Sequence, residues 1–324
     1  MILVLVEHDA EGPSRPSLQA LTLGRDLAGR LGLPVHAALI GEEGRAHAAD
    51  LGTYGASAAH VLAHPDLGAY APAAWGAALA GLVADASPAA VLAAGTDRGN
   101  EVMAHLAARA GLPMAAGCTE VEPADPWRVT RTRWGGSLLE DAELTGTGPK
   151  LLTVAPHAVR GEAAASPSEV EVLAHAPSID PADLRVRVTD RVRSHGGAVT
   201  LAEARVVVGG GRGVGSAEGF RDLEALADLL GGAVGVSRAV TSLGWRPHAE
   251  QVGQTGTRIA PDLYIACGIS GAIQHMVGCK SAKRVLAINT DPEAPILTKA
   301  DFAVIGDLRA IVPAVVEELR RAGS

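Results

Sequence analysis

The sequence predicts an α/β protein of two domains, each built on a mostly parallel sheet. Three observations lead there. Short apolar runs alternate with helix-period stretches in both halves of the chain, the order that covers a parallel sheet with helices on both faces. Apolar runs end in glycine before the next helix, as at Gly95 and Gly268. The 324 residues are 48% hydrophobic and only 3% aromatic, so the core is built from Ala, Val and Leu, with length for two ordinary domains.

Residues 2–6 read as a first buried strand. The run is short and lacks a basic flank and a small-residue cleavage site, so no signal peptide is expected and the chain is placed in the cytoplasm. Residues 17–31 set Leu18, Leu21, Leu27 and Leu31 on one helical stripe, stopped by Gly32. Strands follow at 34–40 and 58–63, with a helical segment between them. Residues 71–84 form an alanine-rich helix, 89–94 a buried strand, and 99–110 a helix stopped at Gly111. After Met114 the pattern changes. Residues 128–134, 137–144 and 150–156 read as strands joined by glycine-rich turns, a β-extension of the first domain. Residues 157–200 mix Pro, Ser, Ala and charge, with strand-like stretches at 170–173 and 184–192 and a turn at 193–197. The domain boundary is expected near 195, giving domains 1–194 and 195–324.

The second domain opens with a strand at 204–208 that runs into a glycine turn, 209–216. A helix carries Phe220, Leu223, Leu226 and Leu230 on one face. Strands are expected at 233–236, 263–267, 285–288 and 302–305, a short helix ending near Gly278, and a last helix over 307–321.

Charge and cysteine usage exclude several classes. With 28 basic and 36 acidic residues the formal charge is −8, and no basic stripe carries interleaved aromatics, so no nucleic-acid partner is expected. The three cysteines have no C-x-x-C spacing and the histidines no H-x-x-x-H spacing, which gives neither a disulfide framework nor a metal site. No apolar run reaches the roughly 20 residues of a membrane span. There is no G-x-S-x-G elbow for a serine hydrolase.

The stretch 251–289 carries the chemistry. Gln251-Val252-Gly253-Gln254-Thr255-Gly256 precedes an apolar run, then Gly268-Ile269-Ser270-Gly271, a short helix, and a second apolar run closing on Asn289. Strand, glycine turn, helix, strand is how a parallel sheet builds a nucleotide site. Gln254, Thr255, Gln274 and His275 supply hydrogen-bonding groups for a flat heterocycle. Each motif also has a plainer reading. Gly211, Gly213 and Gly215 suit any tight turn, although Arg212 beside them makes a natural diphosphate clamp. Ser237-Arg238 closes a strand, where a lone arginine is ordinarily a solvated cation. Residues 251–256 fit a hairpin loop equally well. A histidine on a short helix is more often structural than a ligand. Cys267 and Cys279 sit in or near buried segments and read as core.

The run Leu263-Tyr264-Ile265-Ala266-Cys267-Gly268-Ile269-Ser270-Gly271-Ala272-Ile273-Gln274-His275, with Val285-Leu286-Ala287-Ile288-Asn289, resembles the α subunit of electron transfer flavoprotein. Gly210-Gly211-Arg212-Gly213, Ser237-Arg238, 251–256, Asp291-Pro292-Glu293-Ala294-Pro295-Ile296 and Asp307-Leu308 fall in the family's order. The first domain is covered more loosely, by Gly135-Gly136 and Lys150-Leu151-Leu152-Thr153-Val154. Gly215, Ala217 and Gly219 depart from the Lys, Gly and Asn common there.

The resemblance implies a first domain like the nucleotide α-hydrolases, which forms the partner interface, and a Rossmann-like second domain binding one FAD. It implies a β-subunit partner, and electrons taken from dehydrogenases such as those for acyl-CoA and passed to a membrane-associated quinone reductase. Carried over by residue, Arg212 contacts the diphosphate region, and Ser270, Gly271, Ala272 and Ile273 receive a phosphate. Val252, Gly253, Gln254 and Thr255 line the isoalloxazine, with the Thr255 hydroxyl near N5. Ser237 adjoins Arg238, which lies over the ring. Gln274 belongs to the same polar set, and His275 reaches the pyrimidine carbonyl. Asn289, Asp307 and Leu308 hold the ribityl–adenosine part. The chain is then an electron carrier without turnover of its own. The same resemblance allows an NADH-linked bifurcating complex whose second FAD lies in the partner. Two other classes compete: an oxidoreductase with its own substrate pocket, for which no acid–base pair is evident, and a nucleotide-sensing module without flavin.

Overall fold

The structure, a computed structural model, describes residues 1–134, 138–189, 200–202 and 204–322. It divides into two compact units, Met1–Arg191 and Val192–Ser324. The expected boundary near 195, the turn at 193–197 and the Gly135-Gly136 pair lie outside the described residues.

The first unit holds β1 (Ile2–Leu5), β2 (Val35–Ile40), β3 (Ala58–Leu62), β4 (Ala90–Ala94), β5 (Met114–Glu122), β6 (Trp127–Arg133), β7 (Leu138–Leu144), β8 (Lys150–Val154) and β9 (Glu171–His175). They form one nine-stranded sheet in the order β7-β6-β5-β8-β4-β1-β2-β3-β9. It is parallel except where β5, β6 and β7 pair as antiparallel neighbours. Side chains alternate across β1. Ile2 and Val4 pack under α1 (Arg15–Leu31), while Leu3 and Leu5 pack under α2 (Pro72–Ala86) and α3 (Asp97–Ala110). Ser14 caps α1 by accepting from the Ser17 N–H, and Gly32 ends it at φ 65°.

Strand order reverses between β1 and β4. There the Thr96 hydroxyl donates to Glu7 Oε1 at 2.5 Å while its oxygen caps α3 by accepting from the Gly99 N–H at 2.9 Å. Across β2, β3 and β9 runs a row of histidines. His36 Nδ1 lies 3.0 Å from His60 Nε2, and His60 Nδ1 lies 2.9 Å from His175 Nε2.

Two expectations for this unit are corrected and a third is refined. Between β2 and β3 the expected helical segment is a pair of 3₁₀ helices, Glu42–His47 and Ala49–Tyr54. Gly52 approaches the Ser168 carbonyl so closely that a Cβ would overlap it, so this stretch follows backbone packing and not helical periodicity. The strand β5 was not expected. Its alternation is broken by Gly117 at φ 71° and by a register shift between Ala115 and Cys118. Residues 184–189 form no strand. Leu184 and Val188 instead lay their side chains on the α2–α3 core, and the Val188 N–H donates to Tyr70.

The second unit is a five-stranded parallel sheet, in the order β11-β10-β12-β13-β14. Its strands are β10 (Val206–Gly210), β11 (Ala233–Val236), β12 (Leu263–Cys267), β13 (Val285–Asn289) and β14 (Phe302–Ile305). One face is packed by α4 (Phe220–Leu229) and α7 (Leu308–Ala322). The other face gathers Val252, Tyr264, Cys279 and Ile296. Two short helices, α5 (Arg238–Ser242) and α6 (Ile273–Cys279), begin near the carboxyl ends of β11 and β12. Among the described residues no helix is long and apolar enough to cross a membrane.

Candidate functional site

Every residue expected to hold the cofactor lies at or against the carboxyl edge of the second sheet. Strand order reverses between β10 and β12, the place where open parallel sheets bind ligands. Glycine is required there for contact and not only for turning. The Gly211 N–H donates to Cys267 and the Gly213 N–H to Gly268. A Cβ on Gly213 would come within 2.7 Å of the Gly268 Cα. The two strand ends therefore meet backbone to backbone. Arg212, between the two glycines, is exposed and makes no ion pair with a described residue.

After β12 the backbone of residues 270–274 passes into α6. None of these N–H groups donates to a described residue. Gly271, at φ 85°, packs against the Ile296 backbone, so the segment 291–296 fixes the path of this turn. Ser270, Ala272, Ile273 and Gln274 are exposed. An exposed row of unpaired N–H groups is suited to an anion.

The loop 252–255 is held from two sides. The Val252 N–H donates to Val236 at the end of β11, and the Gln254 N–H donates to the Gln274 carbonyl at 2.8 Å. Gly278 of α6 packs on Gly253, whose φ of 151° and close neighbours both call for glycine. Thr255 is exposed, and its hydroxyl is oriented by Gln251 Nε2 at 3.1 Å. Gln251 is 2% exposed, and its Oε1 accepts from the Thr241 hydroxyl at 2.7 Å. Arg238, Thr241, Gln251 and Thr255 line one cavity of about 390 Å³. Ser237 leads into α5 with its N–H donated to Gly210.

His275 is buried on α6. Its Nε2 lies 2.8 Å from the Tyr264 hydroxyl, while Nδ1 is buried without a hydrogen-bond partner among the described residues. Burial pushes its pKa down to about 4, and the nearby Val252 backbone, which does not reach hydrogen-bond geometry, opposes this only in part. Asn289 is committed to the protein: Nδ2 donates to the Ile269 carbonyl at 2.9 Å and Oδ1 accepts from the Asp291 N–H at 3.1 Å. Asp307 is paired with Arg309 at 2.8 Å, and that guanidinium holds its carboxyl below the usual range. Leu308 is buried at the start of α7.

Sequence reasoning missed three residues. In the sequence Gln251 reads only as part of the glycine turn, and Thr241 belongs to no motif. Tyr264 sat in an apolar run, and its one signal was rarity, since the chain has three tyrosines. The thiols of Cys267 and Cys279 are pushed up to about 12 by burial, which agrees with their reading as core.

What settles at such a reversal of strand order, among touching glycines and unpaired N–H groups, is a nucleotide cofactor, and the second unit belongs to that binding class. Residues 200–280 match the electron transfer flavoprotein FAD-binding domain, and residues 2–178 match the electron transfer flavoprotein domain. The chain belongs to the electron transfer flavoprotein α-subunit family. It is 40% identical over 324 residues to the electron transfer flavoprotein subunit alpha of Mycobacterium tuberculosis, covering 98% of each chain. It is 34% identical over 307 residues to that of Thermoanaerobacterium thermosaccharolyticum, covering 94% of this chain and 93% of the other. Protein FixB of Clostridium saccharobutylicum is 35% identical over 327 residues, covering 98% and 96%.

The cofactor of the matched domain is FAD. The residues present suit it. The N–H row at 270–274 and Arg212 offer donors for a diphosphate, the cavity beside Arg238 and Thr255 offers polar contacts to a ring, and His275 Nδ1 is a buried polar atom without a partner among the described residues.

Proposed function

We propose that this chain is an electron carrier that holds FAD along the carboxyl edge of the second sheet. In this reading it works in the cytoplasm beside a β subunit, takes electrons from dehydrogenases such as those for acyl-CoA, and delivers them to a membrane-associated quinone reductase. The observation that carries the reading is the convergence on one edge of the sheet of Arg212, Arg238 and the N–H row of 270–274, which is unpaired among the described residues. FAD, when bound, supplies the redox chemistry. The chain's residues bind and tune it.

Arg212 and the 270–274 backbone neutralise the diphosphate. The loop 252–255, pinned by Val236 and Gln274, sets one wall for the ring. Gln251 turns the Thr255 hydroxyl. Arg238 brings a positive charge to a site where electrons arrive. Asn289 acts at one remove, by fixing Ile269 and Asp291 around the phosphate turn.

The test is reconstitution of the full chain with FAD, followed by stepwise reduction. Visible flavin bands at one FAD per chain are expected. Arg238→Ala should make the first one-electron potential more negative. At about 5 Å, a unit charge is worth roughly 3 kcal/mol at an effective dielectric of about 20 and about 1 kcal/mol in full solvent, hence about 40–140 mV. An unchanged potential would remove Arg238 from this role, and a colourless protein after FAD addition would sink the reading.

A further inference from the structure

The most informative group outside these assignments is the phenol behind His275. Tyr264 is fully buried, and His275 is 6% exposed. Their side chains meet at 2.8 Å, Oη to Nε2. Gly209 lies against the phenol, and a Cβ there would overlap the hydroxyl. Among the described residues Tyr264 has no second hydrogen-bond partner.

The contact can be written in two ways. With the proton on Nε2, the imidazole donates to the phenol oxygen. The phenol's own O–H is then buried with no acceptor. With Nε2 bare, the phenol donates to it, and the ring proton sits on Nδ1. Only the second arrangement satisfies the phenol. An unpaired buried hydroxyl biases the tautomer ratio by roughly 5- to 100-fold. Ionisation does not rescue the first arrangement. Burial keeps the imidazole neutral and holds the phenol far above its usual pKa. The Val252 backbone lies near the imidazole and acts on it in the direction a carbonyl gives, and the Val252 N–H is already donated to Val236.

We propose that Tyr264 is a positioning residue that locks His275 as the neutral Nδ1–H tautomer, so that the imidazole presents an N–H donor on the side of the 252–255 loop. The proposal rests on the FAD reading for its ligand: the recipient is an acceptor atom on the ring that this loop is expected to line. His275 thus offers a directional donor without charge, and the cationic part is left to Arg238. No proton is exchanged, because Nε2 is held as an acceptor from inside the protein.

The test uses the full chain labelled with ¹⁵N-histidine, and the protonation of each ring nitrogen is read from long-range ¹H–¹⁵N correlations at neutral pH, before and after FAD is added. His275 signals are identified by their loss in His275→Asn. The expected wild-type pattern is a protonated Nδ1 and a bare Nε2. In Tyr264→Phe the proton should shift toward Nε2, and FAD binding should weaken roughly threefold to tenfold. In a His275→Asn background the amide supplies a donor near the Nδ1 position without help from the phenol, so adding Tyr264→Phe should change FAD affinity less than about twofold. A protonated Nε2 in the wild type overturns the proposal, even if Tyr264→Phe fails to fold. So does an identical pattern in wild type and Tyr264→Phe. The flavin bands report separately: their absence removes the FAD reading, while the nitrogen signals still judge Tyr264.

Discussion

Replacing Gln251 by Leu removes two hydrogen bonds from a side chain that is 2% exposed, yet the structure predicts only a small loss of stability, together with a measurable loss of cofactor affinity. Each bond contributes about 0.5–1.5 kcal/mol net. One loss is softened because the Thr241 hydroxyl has a second acceptor, the Arg238 carbonyl at 3.0 Å. The other is softened because Thr255 is exposed and water can replace the amide. Leu also fills a similar volume with apolar atoms. The net cost should be about 1 kcal/mol, or about 4 °C in Tm. The Thr255 hydroxyl, however, loses the donor that orients it, and FAD binding should weaken roughly threefold to tenfold. Urea melts of the ligand-free chain and FAD titration by fluorescence give the two numbers. A stability loss above about 3 kcal/mol with unchanged FAD affinity would refute the reasoning, since Gln251 would then be only a plug in the core.

Two other outcomes follow from the same geometry. Gly271→Ala should destabilise the second unit by about 3 kcal/mol or more, since φ is 85° and the new Cβ would come within 2.7 Å of the Ile296 Cα. Gly244→Ala is the control: φ is 70° with no heavy atom within 4 Å, so only about 1–2 kcal/mol is expected in a urea melt. Acid should weaken the protein through buried neutral histidines. His275 is held at about 4 against an ordinary 6.5, so between these values the unfolded chain binds the proton that the folded chain refuses. Its contribution is complete above pH 6.5 and falls as pH drops toward 4, by about 3 kcal/mol in all. His60, pushed down to about 4 by burial and then by its neighbours His36 and His175, acts in the same direction. The urea midpoint measured against pH should show this slope, and His275→Asn should flatten part of it.

The parallel strands were legible because a strand buried on both faces is an unbroken apolar run, as in β1, β4 and β12. β5 was not, because Gly117 and the exposed Glu120 and Glu122 interrupt its pattern. The apolar signal at 184–192 was real, but the structure spends Leu184 and Val188 on covering a core. At the site, the glycines of 209–213 and 268–271 and the charge of Arg212 could be read in one dimension. The roles of Gln251 and Tyr264 could not, since each depends on a partner 10 or 11 positions away. Asn289 was legible as a site position, but not as a strut whose amide is already spent on Ile269 and Asp291.

The contact between Glu7 and Thr96 gives the two units opposite electrostatic characters on the same kind of scaffold. Both sheets reverse strand order beside their first strand, between β1 and β4 in one and between β10 and β12 in the other, and each of these reversals opens beside a helix start. In the second unit that ground offers N–H groups to an outside anion. In the first unit the chain furnishes its own anion: Glu7 takes the Thr96 hydroxyl at the mouth of α3, and a Cβ on Gly99 would come within 3.1 Å of the same carboxylate. The same place in the fold is thus occupied by the chain's own carboxylate in one unit and lined by backbone N–H groups in the other.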